Sequence, residues 1–190
     1  GGDVRVTGGS ADTGVGGSVV VTSGQSEDTT SGAISVNTAD SGSEGVSGLV
    51  DVSTGEALDG SSGSISLRTG NATDGAGGAV SVMVGEGDTG AGGEVRVEAG
   101  KTTDAAAGGL VTMTAGESTG SGSVGGAVSM TAGEGSSTSG GDGGAVVVTA
   151  GHSAGQSSSD YGGDVRVTGG RADTGVGGPL AATSGPSGAR

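Results

Sequence analysis

Toward nucleophilic or imidazole chemistry the chain offers one histidine, His152, and one tyrosine, Tyr161, with no cysteine at all. A Ser/His/Asp, Cys/His or His-based metal centre would therefore have to be built around a single imidazole. His152 follows a recurrent glycine in a slot that elsewhere holds Glu56, Glu86, Lys101, Glu117, Glu134 and Arg171. A position that accepts either charge reads as a solvated loop site. Carboxylate chemistry fares no better, because glycosidase-type acid/base pairs need a cleft with apolar or aromatic walls. The chain has no Phe or Trp with which to build them. The glycine-rich motifs also fail as phosphate loops, having neither a following P-loop lysine nor a helix to aim at an anion. The reading is of a non-enzyme.

Calcium is the one metal that the carboxylates suggest. Asp12, Asp59, Asp74, Asp88, Asp104 and Asp173 recur in turn-like segments beside small residues. Calcium prefers several oxygen ligands, and these segments supply one carboxylate each. The G-G-x-G-x-D repeat of calcium-binding β-rolls is replaced here by D-T-G-[VA]-G-G before an aliphatic stretch. An ordinary Asx-turn role explains these aspartates with less, and calcium stands only as a weak expectation. Threonine supplies a second candidate surface: Thr7, Thr22, Thr114, Thr131, Thr149, Thr168 and Thr183 share one repeat position. An ice-matching face would need that column unbroken, yet Asn37, Ser53, Arg68, Met83 and Glu98 interrupt it.

What must position all of these residues is a repeat. The phrase G-x-[VIL]-x-[VLMA]-x-x-G opens at Gly2, Gly17, Gly32, Gly48, Gly63, Gly78, Gly93, Gly109, Gly126, Gly144, Gly163 and Gly178, with steps of 15 to 19 residues. Self-similarity at a fixed short period indicates stacked units, each burying its apolar face on its neighbours. The third position holds Val4, Val19, Ile34, Val50, Ile65, Val80, Val95, Val111, Val128, Val146, Val165 and Leu180. The fifth holds Val6, Val21, Val36, Val52, Leu67, Val82, Val97, Met113, Met130, Val148, Val167 and Ala182. Two apolar residues separated by one variable residue share a face of an extended segment. Glycine at the eighth position, with Ala39 the exception, suits a corner needing positive φ.

These features predict an all-β fold: a parallel β-solenoid, a flattened two-sided β-helix of about twelve coils of 15–19 residues, with the third and fifth positions facing in. A bundle of glycine-rich polyproline II helices is the competing architecture. Residues 1–190 form one repeat array, and the near-identity of Gly1–Gly17 with Gly162–Gly178, where only Ser10 becomes Arg171, suggests a segment of something longer. Matched, uncapped ends further suggest continuation end to end, in a longer chain or head to tail between copies.

A net charge of −14 argues against nucleic acid and anionic membranes as partners. No stretch is long and apolar enough for insertion into a bilayer. Acidic, Gly/Ser/Thr-rich repetition points to an extracellular or cell-surface setting. There Asn71-Ala72-Thr73 forms an N-glycosylation sequon, with Asn71 the candidate acceptor. Ser61-Ser62, Ser136–Ser139 and Ser157–Ser159 are candidate O-glycan clusters.

The units G-S-I-S-L-R-T-G from Gly63, G-A-V-S-M-T-A-G from Gly126 and G-D-V-R-V-T-G-G from Gly163 resemble the [SG]-G-x-V-x-[VL]-x-[TA]-G repeats of very large surface or extracellular proteins of algae and related microbial eukaryotes. That resemblance covers the whole chain and implies a non-catalytic fibre or wall component. The alternatives are a calcium-stiffened adhesin stalk and an ice-binding solenoid.

Overall fold

The computed structural model describes residues 1–185; the last five residues of the expected array lie outside them. The chain divides into two units, Gly1–Gly93 and Glu94–Arg190. Among the described residues there is no helix and no strand, only bends and short turns. The all-β solenoid expected from the periodicity is therefore not formed, and the twenty-four third- and fifth-position residues do not face an interior. No described residue is buried. The accessible surface is 18566 Å², more than twice the roughly 7,800 Å² of a compact folded chain of this mass.

The repeat is nonetheless written into the backbone. Each unit consists of eight-residue stems, the sequence phrase itself, joined by loops. Exposure varies along a stem without strict alternation. Third- and seventh-position residues such as Val19 (54%) and Val84 (47%) are the more covered, while even positions such as Val20 (80%) and Met83 (85%) and fifth positions such as Val21 (73%) stand more open.

Cover at the third position is partial. In the first unit Val4 is 93% exposed, whereas Val19, Ile34, Val50 and Ile65 fall to 54%, 55%, 52% and 52%. The fifth-position residues gain no such cover and stay about three-quarters exposed in the same unit. Covering about four-tenths of a valine contributes ~0.6–1.2 kcal/mol per repeat, a proportional share of full side-chain burial.

The loops explain why no solenoid forms. In a β-helix the return segment carries the chain back along the length of the stem, so that Gly17 would start beside Gly2. Here the Gly17 N–H donates to the Gly9 carbonyl at 2.7 Å, and the next stem starts where the last one ended. The return is a closed loop with its ends together, of the compact Ω kind. A stem of eight residues spans about 23–26 Å when extended, and a loop closed on itself does not travel that distance.

Candidate functional site

Seven loops close in this way, and one residue decides which. The opening glycine N–H of a repeat donates to the carbonyl of the preceding eighth-position glycine in the pairs Gly17–Gly9, Gly32–Gly24, Gly109–Gly100, Gly126–Gly116, Gly144–Gly133, Gly163–Gly151 and Gly178–Gly170. The seventh-position residues just before those acceptors are Gly8, Ser23, Ala99, Ala115, Ala132, Ala150 and Gly169. The four remaining loops lead to Gly48, Gly63, Gly78 and Gly93 and carry no such bond; their seventh-position residues are Thr38, Thr54, Thr69 and Val84. Every small residue accompanies a latched loop. Every β-branched residue accompanies an open one.

Sterics supply the reason. The opening glycine lies directly against the seventh-position side chain, so that a Cβ added to Gly144 would stand 3.6 Å from the Ala132 Cβ and 3.4 Å from the Gly133 nitrogen. At Gly63 and Gly78 the same point is instead 3.4 Å from the Cγ2 methyl of Thr54 and Thr69. The open loops thus carry a branched methyl against the opening glycine that the latched loops lack. Where the ends approach most closely, even Cβ is excluded: a side chain on Gly8 or Gly169 would collide with the carbonyl oxygen of Gly17 or Gly178. The latch measures 2.7 and 2.8 Å after those two glycines and 2.9 Å after the five Ser and Ala residues.

A Cβ at the opening position would come closer than 3.0 Å to a neighbour at Gly17, Gly93 and Gly109, and would meet tight or ordinary contact at the other openings that follow a loop; the positive φ expected at the eighth position is not found. No eighth-position glycine has positive φ. The left-handed residues sit inside the loops, and each open loop contains one: Gly45, Gly60, Asp74 and Gly90. Three latched loops contain one as well, at Gly14, Gly122 and Gly140, so a positive φ does not by itself separate the two kinds of loop. Asp74, at φ 58°, is the one non-glycine among the described residues with a positive φ; aspartate is among the few residue types that tolerate it.

Latched loops grow from nine residues (Gly9–Gly17) to thirteen (Gly151–Gly163) without losing the latch. Ser, Thr and Asp side chains bond locally inside these loops, in the shortest as well as the longer ones. Thr29 N–H donates to Ser26 Oγ at 2.9 Å, Ser118 Oγ to Ser123 Oγ at 2.6 Å, and Ser157 N–H to Asp160 Oδ2 at 2.9 Å.

The residues singled out for chemistry are scattered. Asp12, Asp59, Asp74, Asp88, Asp104 and Asp173 lie in six different loops, at their bends, and no three potential metal-ligating side chains come together among the described residues. Asp104 accepts the Ala105 N–H at 2.7 Å, Asp88 accepts the Thr89 hydroxyl at 3.2 Å, and Asp173 pairs with Arg171 at 2.9 Å. His152 and Tyr161 are exposed in the same loop, and Asn71 is exposed at the start of the open loop Gly70–Gly78.

The stems carry a second regularity that the sequence reading passed over. Every charged stem residue occupies an even position: Asp3, Arg5, Asp51, Arg68, Glu94, Arg96, Glu98, Asp164 and Arg166. Positions one, three, five and seven hold no charge in any of the twelve repeats. The even side neutralises itself in places, with Arg166 on Asp164 at 2.9 Å and Arg96 on Glu98. The signal lies in the sequence itself, as an uncharged column at position seven beside the two aliphatic ones.

No protein-family model, no curated protein and no solved structure matches the chain.

Proposed function

We propose that the chain is a non-catalytic structural element of an extracellular fibre or of a surface or wall filament, lengthened by continuing the repeat within a longer chain or head to tail between copies. The observation that carries this reading is what the array holds constant. Backbone closure is preserved to within 0.2 Å in seven loops of nine to thirteen residues, while the slot after the latch accepts glutamate, lysine, arginine or histidine. A catalytic or specific binding site requires a fixed constellation of side chains. A structural element requires a fixed spacing and a soluble surface, and tolerates substitution elsewhere.

The acidic surface keeps such material soluble, and the exposed Asn71 sequon and serine clusters offer attachment points for glycans. The resemblance to surface repeat proteins of algae and related microbial eukaryotes favours the same setting. Immunogold labelling of intact cells of the source organism tests the proposal. Gold on fibres or wall outside the cell is the expected result; label confined to the cell interior overturns it.

A further inference from the structure

Two loop aspartates are placed to react with their own backbone, and we propose that Asp59 and Asp74 are sites of spontaneous conversion to isoaspartate. The reaction needs a free side-chain carboxyl, a following amide nitrogen able to attack it, and a backbone that lets the two meet. Asp59, Asp74 and Asp142 are the aspartates followed by glycine, which has no Cβ to crowd the attacking nitrogen. All three are exposed. Among the described residues, neither their carboxylates nor the amides of Gly60, Gly75 and Gly143 enter a hydrogen bond or ion pair, whereas Asp88, Asp104, Asp160, Asp164 and Asp173 hold theirs in such contacts.

Loop closure separates the three. Asp59 and Asp74 sit at the bends of Gly55–Gly63 and Gly70–Gly78, which carry no latch. A Cβ on Gly60 would meet nothing within 4 Å, and one on Gly75 only the Ala72 Cβ at 4.0 Å, so both bends leave room for a ring. Asp142 is held from two sides. The Gly144 N–H two residues on donates to the Gly133 carbonyl at 2.9 Å, and a side chain on Gly135 would collide with the Asp142 carbonyl. Segments without such restraints rearrange at little cost. In the reaction the glycine nitrogen bonds to the aspartate Cγ and loses its proton, and a carboxyl oxygen departs as water, leaving a five-membered succinimide. Water then adds to the ring. Opening at the former main-chain carbonyl routes the chain through the β-carbon and frees the α-carboxylate, with no net change in composition and no redox step.

Purified chain aged in warm neutral buffer tests the proposal, with electron-transfer fragmentation mass spectrometry distinguishing isoaspartate from aspartate at each site. Isoaspartate is expected to accumulate at Asp59 and Asp74 several-fold faster than at Asp142. It should also form there faster than at Asp12 and Asp173, which precede threonine, and a transient species one water lighter should appear in the same peptides. Gly75→Ala adds a Cβ in ordinary contact on a backbone that is not left-handed. That variant is expected to slow conversion at Asp74 several-fold and leave Asp59 unchanged. Conversion of Asp142 as fast as that of Asp59 and Asp74, no more isoaspartate at those two than at Asp12 and Asp173, or an unaltered Asp74 rate in Gly75→Ala overturns the proposal.

Discussion

Replacing Ala132 by threonine should open a loop that is now latched. In the structure the Gly144 N–H donates to the Gly133 carbonyl at 2.9 Å, and the point where a Gly144 Cβ would stand is 3.6 Å from the Ala132 Cβ. At the equivalent place in the Gly63 repeat, the Thr54 Cγ2 occupies that space at 3.4 Å and no latch forms. Ala132→Thr therefore forfeits one backbone hydrogen bond, worth roughly 0.5–1.5 kcal/mol net. Converted to an opening equilibrium, this is about a two- to tenfold rise in the exchange rate of the Gly144 amide. Proton–deuterium exchange read by NMR measures that single glycine directly. The reverse substitution, Thr54→Ala, should slow exchange at Gly63 by a similar factor, and Ala132→Ser, which adds an atom without branching at Cβ, should leave Gly144 protected as Ser23 leaves Gly32. If serine opened the loop as effectively as threonine, or if neither direction moved the glycine amide, branching at the seventh position would not be the control.

Further expectations follow from the same geometry. Gly109→Ala places a Cβ 2.9 Å from the Gly100 nitrogen and 3.2 Å from the Ala99 Cβ, and should abolish protection of the residue 109 amide, whereas Gly100→Ala meets nothing within 4 Å and should leave it intact. Inserting one glycine into the Gly133–Gly144 loop should cost only about 0.1 kcal/mol of closure entropy and preserve the Gly144 latch in the same exchange experiment. Asp74→Gly relieves a left-handed non-glycine residue, a strain of ~1 kcal/mol, and should leave the backbone shifts of its loop in place, while Asp74→Val should displace them. Expressed through a secretory pathway that glycosylates asparagine, the chain should lose a glycan-sized mass on Asn71→Gln, read by mass spectrometry.

The sequence made the unit legible but not the path between units. Alternation of Val, Ile and Leu with polar residues marked the stem as the repeating unit, but the shared inward face expected for its third and fifth positions is not formed: Val19 and Ile34 are about half covered, while Val21 and Val36 stay 73% and 78% exposed. The step from stems to a β-solenoid failed at the return segments. Whether nine residues from Gly9 to Gly17 carry the chain back along the stem or close on themselves depends on a hydrogen bond between residues far apart in sequence, and periodicity holds no trace of it. The control, small against β-branched residues at position seven, was readable in the sequence, but only a known contact gives Thr54 and Ala132 different meanings. The chemistry-bearing residues were judged by number and type, and their separation into different loops follows from there being one aspartate per return.

The most direct test of this account is the detection of through-hydrogen-bond scalar couplings at the eleven opening glycines that follow a loop. The account predicts couplings from Gly17, Gly32, Gly109, Gly126, Gly144, Gly163 and Gly178 to the carbonyls of Gly9, Gly24, Gly100, Gly116, Gly133, Gly151 and Gly170, with none at Gly48, Gly63, Gly78 and Gly93. Couplings at all eleven, or couplings linking one stem to the next in place of loop end to loop end, would contradict it.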